Sequence, residues 1–389
     1  MGRTIAVVGA SLAGWSACVT LRSGGFDGRL VLIGDEPHRP YDRPPLSKSF
    51  LAGAVGADVL PLATREQFAE VGPDWRLGRR ATSLDTARLD AMTVTLDDGE
   101  RIEADVVLIA TGTRPRTLPG QPQATGLHTL RTLDDALALK PELAKGKRLV
   151  VVGGGFIGAE VAATGRELGC EVAVVEAQPL PLADLFGERM AETVSGLHEA
   201  HGSSLYLGVA VHEVLVSGGR VRGVRLGDGR ELPADVVVVG IGVTPNTEWL
   251  RGSQVALDGG VLVDAYGATS VPGVYAAGDV VRFPSGRAGA HVRIEHWTHA
   301  RDHGAAVARA ILGVGEPYDP LPYVWSEQYG TMLQFAGYPA ADATVALVEG
   351  DLAERRFVAE YLRDGRRVAV LGMRSPRTFT RIRKELSRA

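Results

Sequence analysis

Arg148-Leu149-Val150-Val151-Val152-Gly153-Gly154-Gly155-Phe156-Ile157-Gly158 carries an unbroken apolar run into a glycine cluster and on into a stretch with helical spacing. An apolar run without alternation suits a parallel strand buried on both faces. Gly153, Gly155 and Gly158 complete a G-x-G-x-x-G fingerprint where such a strand would turn into a helix. At that turn, backbone N–H groups and the helix dipole can hold a pyrophosphate. The spacing predicts a helix over residues 157–168, stopped by Gly169, and a second strand over 171–175 that ends in Glu176, 23 residues beyond Gly153. A carboxylate in that place accepts both hydroxyls of an adenosine ribose and repels a 2′-phosphate. No Lys or Arg follows in Ala177-Gln178, so NADH is favoured over NADPH.

Near the N-terminus the plan repeats. An apolar run over residues 5–9 enters Gly9-Ala10-Ser11-Leu12-Ala13-Gly14, a helix is predicted over 12–22, and a strand over 30–33 ends in Asp35-Glu36. Ser11 replaces the middle glycine with another small residue. Each half is then closed by an apolar strand running into glycine: residues 105–110, ending at Ala110 before Thr111-Gly112, and residues 235–239 before Gly240-Ile241-Gly242. Hairpin-like segments at 92–96 with Asp98-Gly99, and at 220–226 with Asp228-Gly229, read as small antiparallel inserts. The duplication implies two related βαβ units. Two dinucleotide sites imply two dinucleotides, and the chemistry that needs both is hydride transfer between nicotinamide and flavin.

Composition narrows the field. A length of 389 residues suggests two or three domains. A net charge of -4 removes the global basic field that draws a chain to nucleic acid or anionic lipid. Cys18 and Cys170 are too few for a disulfide framework, a zinc cluster or a protein-held iron-sulfur centre, and they suit a reducing cytoplasm. No apolar run reaches the ~18 residues of a membrane span, and the N-terminus has no signal-peptide layout. No metal is expected: His299 and His303 have i, i+4 spacing, but no third ligand follows the pattern. Neither a Gly-x-Ser-x-Gly elbow nor a Gly-Lys-Ser/Thr phosphate loop occurs, which sets aside hydrolase and nucleotidase chemistry. From about Leu321 the chain becomes aromatic and β-rich, and residues 354–389 hold eleven Lys and Arg against four Asp and Glu. A third small domain with a basic face is the simplest reading.

Four further stretches carry a family resemblance: Arg39-Pro40-Tyr41-Asp42-Arg43-Pro44-Pro45-Leu46-Ser47-Lys48, Ala276-Ala277-Gly278-Asp279, Arg293-Ile294-Glu295-His296-Trp297, and Tyr323-Val324-Trp325-Ser326-Glu327-Gln328-Tyr329. In this order they resemble the oxygenase-coupled ferredoxin reductases, a branch of the pyridine nucleotide-disulfide oxidoreductases that lacks the redox disulfide. The resemblance implies an α/β fold with two Rossmann-like, glutathione-reductase-like dinucleotide-binding domains and a small α+β C-terminal domain. It implies an FAD domain split into residues 1–113 and 245–320, an NAD domain at 114–244, and a C-terminal domain at 321–389.

The resemblance also implies residue roles. Asp35 would bind the FAD ribose, Ala13 and Gly14 the pyrophosphate, Arg43 and Lys48 the flavin region, Ala81 the adenine side through its backbone, and Arg131 the FAD. Asp279 would meet the ribityl chain and Trp297 the flavin edge, at the start of a helix over 297–312 whose positive end favours the charge of reduced flavin. Lys48, one of only five lysines, would pair with Glu160 to orient flavin and nicotinamide. Glu295 and His296 would hydrogen-bond the carboxamide, and Trp325 would cover the flavin face.

The activity implied is transfer of electrons from NADH through tightly bound FAD to a small acidic [2Fe-2S] or [3Fe-4S] ferredoxin that feeds a cytochrome P450 or ring-hydroxylating oxygenase. Rubredoxin reduction, or NADH oxidase or quinone reductase activity, shares the same site. An interaction protein like apoptosis-inducing factor is a remoter alternative. A disulfide reductase would need a cysteine pair, which Cys18 and Cys170 do not form. Arg355, Arg356, Arg366, Arg367, Arg381, Arg383 and Lys384 would steer an acidic partner.

Overall fold

The computed structural model describes residues 3–88, 91–338 and 342–388. It contains two compact units: Met1–Asp42 with Leu60–Arg114 and Pro245–Pro322, and Arg43–Val59 with Pro115–Thr244 and Tyr323–Ala389.

In the first unit the strand Thr4–Val8 lies at the centre of a five-stranded sheet in the order Val274–Ala276, Val106–Ile109, Thr4–Val8, Arg29–Gly34, Asp74–Leu77. All four pairings are parallel. Ile5, Val7, Leu30, Leu32, Val106 and Leu108 are buried together with Trp15, Cys18 and Leu21 of the helix Leu12–Ser23 and Val307 and Ile311 of the helix Trp297–Ile311. The predicted insert is an antiparallel sheet of Ala81–Asp85, Met92–Leu96 and Arg101–Ala104.

The second unit repeats this core. Its parallel sheet has the order Ser204–Leu207, Glu171–Glu176, Arg148–Val152, Val236–Val239, Leu127–His128. The helix Phe156–Glu167 follows the glycine turn, and Val211–Ser217, Arg220–Leu226 and Glu231–Pro233 form the antiparallel insert. The duplication extends to single hydrogen bonds. The Asp105 carboxylate accepts the Thr4 N–H at 2.6 Å and the Asp235 carboxylate accepts the Arg148 N–H at 3.0 Å, each at the foot of its first strand.

Compactness groups the chain differently from the four expected segments in two places. Arg43–Val59 joins the second unit, where Leu51 is buried with Leu139, Leu149, Val151 and Val161. The C-terminal segment joins it too. It is an antiparallel sheet in the order Tyr323–Gln328, Thr331–Gly337, Arg366–Met373, Arg356–Arg363, Thr344–Asp351, followed by the helix Pro376–Arg388. Leu333, Phe335, Phe357 and Leu371 of that sheet share one apolar core with Phe186, Met190 and Val194, so the two are not separate cores. Among the described residues no helix is long and apolar enough to cross a membrane.

Candidate functional site

The two glycine turns have the same geometry. Gly9 has φ +126° and a Cβ there would lie 2.0 Å from the Ala110 carbonyl oxygen; Gly153 has φ +101° and its Cβ would lie 2.3 Å from that of Gly240. A Cβ on Gly14 would sit 2.0 Å from the Gly9 carbonyl oxygen, and one on Gly158 2.0 Å from that of Gly153. The outer glycines therefore let a helix, its leading strand and the closing strand meet backbone to backbone. At the middle position a Cβ on Gly155 meets no protein atom within 4 Å, which explains why Ser11 is tolerated there. Both middle residues cap twelve-residue helices without a side-chain bond of their own to the helix, so the first-turn N–H groups remain available to a pyrophosphate. The residues present fit FAD and NADH.

The strand-end carboxylates differ. Glu176 Oε2 accepts the Gly154 N–H at 2.8 Å and Oε1 the Gln178 N–H at 2.9 Å, which fixes the carboxylate beside the turn. In strand register Gly153 N–H meets the Val175 carbonyl and Gly9 N–H meets that of Ile33, so Gly34, not Asp35, is the counterpart of Glu176. The reason is local. Ala10 replaces Gly154, and a Cβ on Gly34 would approach the Ala10 Cβ to 2.6 Å. The acidic side chain at this strand end thus comes one residue later, at the exposed Asp35, with Arg80 3.9 Å away. Glu36 accepts a hydrogen bond from the Tyr41 hydroxyl.

Of the other expected FAD contacts, all but Arg43, Lys48, Arg131 and Trp325 belong to the first unit. Ala110 is buried, and Gly112 has φ +61°. Thr111 donates its hydroxyl to the Asn246 carbonyl at 2.8 Å and accepts the Asn246 amide at its own carbonyl at 2.9 Å. Ala81 is buried at the head of its strand. Asp279 lies in the turn Gly278–Val280, whose first N–H is received by His303 Nδ1 at 3.3 Å. Trp297 opens its helix, and its indole N–H donates to Asp42 Oδ1 at 2.6 Å. Glu295 pairs with Arg293 at 2.6 Å.

Burial favours the neutral form of His296, His299 and His303. Desolvation lowers His296 to about 4 against the opposing pull of Asp279, and its Nδ1 is buried without a protein partner. Burial lowers His303 to about 3 and His299 well below its ordinary value. His299 instead meets the Tyr318 hydroxyl at 3.2 Å, and no group of three metal-ligating side chains forms among the described residues.

In the second unit Arg43 and Arg131 come together, an Arg43 N–H donating to the Arg131 carbonyl at 3.2 Å. Lys48 Nζ lies 2.7 Å from Glu160 Oε2. Glu160 is 2% exposed and the Lys48 side chain 20%, so the pair is part-buried with its carboxylate inside the protein. Ser47 donates to the same oxygen at 2.5 Å and Ser326 to Oε1 at 2.7 Å. Trp325 is half-buried and stacks on Tyr323 with ring centres 5.8 Å apart. Phe156 packs on Phe186, whereas Ile157, at the N-terminal end of the NAD-side helix, is 47% exposed. Gly240 and Ile241 are half-buried, and Gly242 has φ +96°.

Sequence reasoning passed over Asp42, Ser47, Asn246 and Ser326 as site residues, and weighed a fifth, His303, only as a metal ligand. Three of the five lie inside the quoted family stretches, which was the available signal. Four of the seven cations assigned to partner steering are engaged internally. Arg355 binds the Gly196 carbonyl, Arg367 pairs with Glu360 and Glu385, Arg381 pairs with Glu385, and Arg383 lies 3.6 Å over the Tyr323 ring.

Both cysteines are free and buried, one in each unit, and burial raises Cys18 to about 12, so no thiolate is poised for disulfide exchange.

Comparison with known proteins agrees with this geometry. Residues 3–304 match the family model of the pyridine nucleotide-disulphide oxidoreductases, and residues 323–389 match the reductase C-terminal domain. The chain is 39% identical over 381 residues to the ferredoxin reductase component of chlorobenzene dioxygenase from Cupriavidus sp. (strain PS12), covering 97% of this chain and 91% of the relative. It is 37% identical over 387 residues to rhodocoxin reductase of Rhodococcus erythropolis, covering 99% and 89%. Among solved structures it is similar to a chain of the covalent putidaredoxin reductase–putidaredoxin complex, with a TM-score of 0.95 and 31% identity over 99% of this chain and 93% of that one. With two matched glycine turns, a Lys48–Glu160 pair whose carboxylate is buried, and similarity along almost its whole length, this chain belongs to the pyridine nucleotide-disulphide oxidoreductase family and carries its reductase C-terminal domain.

Proposed function

We propose that this chain is the NADH-oxidising ferredoxin reductase of an oxygenase system, passing electrons to a separate iron-sulfur protein that serves a cytochrome P450 or ring-hydroxylating dioxygenase. The observation that carries the reading is the pair of equivalent glycine turns, one beside the strand-end Glu176 and the other followed one residue past its strand end by Asp35, in a chain whose two cysteines are buried and apart in sequence. Bound FAD supplies the exchange between a two-electron hydride donor and a one-electron acceptor.

The residues of the chain do the rest. Residues 1–113 and 245–320 form the FAD domain and 114–244 the NAD domain, with 321–389 as the C-terminal domain. Gly9, Ser11, Ala13 and Gly14 receive the FAD pyrophosphate, and Asp35 its ribose. Gly153, Gly155 and Gly158 receive that of NADH, whose ribose diol donates to Glu176. Glu176 also excludes the 2′-phosphate of NADPH by charge. Neutral His296 offers its unpartnered Nδ1 as a hydrogen-bonding group to a bound cofactor. Asp42 fixes the Trp297 indole, and His303 fixes the turn that presents Asp279. The Lys48–Glu160 pair ties the first turns of the helix Phe156–Glu167 to the turn Pro44–Ser47, which orients the nicotinamide for hydride transfer. Neither residue acts as a covalent catalyst. The buried thiols suit the reducing cytoplasm, where we place the protein.

Lys48→Ala tests the hydride half. FAD should remain bound while anaerobic reduction by NADH slows by at least tenfold; a wild-type rate removes Lys48 from the orienting role.

A further inference from the structure

One buried carboxylate in the second unit is held by three stretches of chain that are distant in sequence. Glu160 comes from the helix after the glycine turn, Ser47 from the Pro44–Ser47 turn, and Ser326 from the first strand of the C-terminal sheet. Ser47 is 3% and Ser326 0% exposed. Glu160 Oε2 accepts from Lys48 Nζ at 2.7 Å and Ser47 Oγ at 2.5 Å, while Oε1 accepts from Ser326 Oγ at 2.7 Å.

A carboxylate paired with an ammonium group only accepts, so both hydroxyl protons must point at Glu160. Ser326 can then receive the Gln328 side-chain N–H, 3.2 Å away, and the chain of donors is directional throughout. Thr164, one turn further along the same helix, donates to the Ser47 carbonyl at 2.8 Å and fixes the backbone that carries Ser47 and Lys48.

Lysine alone would bind one carboxylate oxygen and leave the other buried without a partner, at a cost that favours rotation or displacement of the group. Donors on both oxygens define the plane of the carboxylate and hence the place of the Lys48 ammonium group.

We infer that Ser47 and Ser326 are positioning residues for hydride transfer: they pin the Glu160 carboxylate, which in turn holds Lys48, and Ser326 makes the C-terminal sheet a working part of the hydride site. The inference rests on the orienting role proposed for the Lys48–Glu160 pair, and the test separates the two.

Selective 13C labelling at lysine Cε gives few signals because the chain has five lysines. The Lys48 signal is assigned by its loss in Lys48→Arg. It is expected to move in Ser326→Ala and in Ser47→Ala, and to return toward its wild-type place in Ser326→Thr or Ser47→Thr, which keep the hydroxyl. The same alanine variants should retain FAD and show anaerobic flavin reduction slowed about tenfold at saturating NADH with KM little changed, as expected for losing one hydrogen bond to a charged group. Testing both serines guards against one variant failing to fold. Wild-type reduction in both alanine variants, or an unmoved Lys48 signal, overturns the inference while leaving a slow Lys48→Ala intact. A wild-type rate in Lys48→Ala overturns the orienting role and the inference with it.

Discussion

Replacing Glu176 by arginine should exchange the preferred nicotinamide, and the structure bounds the size of the effect. The carboxylate is held by two backbone N–H groups at 2.8 and 2.9 Å, so it cannot swing away from an incoming 2′-phosphate without losing both. At about 5 Å and an effective dielectric near 20, each unit of like charge costs roughly 3 kcal/mol. The phosphate carries about 1.5 to 2 charges, but Glu176 is only half-buried. Solvent screening makes ~3 kcal/mol a fair net figure, equivalent to a preference of about 150-fold for NADH. Glu176→Arg would remove this repulsion and the proposed bonds to the ribose diol together. The kcat/KM for NADH should fall by about 30- to 100-fold and that for NADPH rise by about tenfold, whereas Glu176→Gln, which removes the repulsion without adding a cation, should narrow the selectivity with a smaller NADPH gain. Stopped-flow reduction with each nucleotide measures both ratios. An unchanged NADH:NADPH ratio in the arginine variant would refute the ribose role of Glu176.

Three further outcomes follow from the geometry. Gly14→Ala forces a Cβ to within 2.0 Å of the Gly9 carbonyl oxygen and should yield colourless protein, while the equivalent Gly158→Ala should stay yellow, reducible by dithionite but not by NADH; the reverse pattern in absorbance spectra would exchange the two sites. Buried His198, His299 and His303 have folded-state pKa values below their unfolded ones, so the unfolded chain binds more protons once the pH is below about 6.5. Stability should therefore drop as the pH falls from 6.5 to 5, by up to about 1.4 kcal/mol per pH unit per ring, and a flat Tm over that window would contradict their burial as neutral groups. Arg148 holds the Asp235 carboxyl down to about 2, so this pair stabilises the fold above about pH 4 and its contribution is lost between there and about pH 2. Asp235→Asn should cost about 1 kcal/mol at pH 7, read by denaturant unfolding, with the difference vanishing in acid.

Much of the fold was legible because its signals are local. Apolar runs ending in glycine located the strands Thr4–Val8 and Arg148–Val152, and the hairpin over Arg220–Leu226 was readable from composition and its Asp-Gly turn. The displacement of the acidic residue from Gly34 to Asp35 was not legible, because it depends on a clash with Ala10 across the turn. Ser47 and Ser326 escaped notice for a related reason: their shared partner lies 113 and 166 residues away, and a serine has no periodicity to betray a buried hydroxyl. The place of Arg43–Val59 in the second unit likewise depends on where Leu51 is buried, which spacing along the chain does not encode. The basic tail was visible as charge, but its internal ion pairs required the structure.

The most direct test of electron delivery is NADH-driven reduction of cytochrome c by the purified flavoprotein, with and without a small acidic [2Fe-2S] ferredoxin, at low and high salt. Strong stimulation by the ferredoxin, weakening as salt rises, is the expected result. Flavin that is bleached by NADH while the ferredoxin adds nothing at either salt concentration would contradict the assignment of a ferredoxin as electron acceptor.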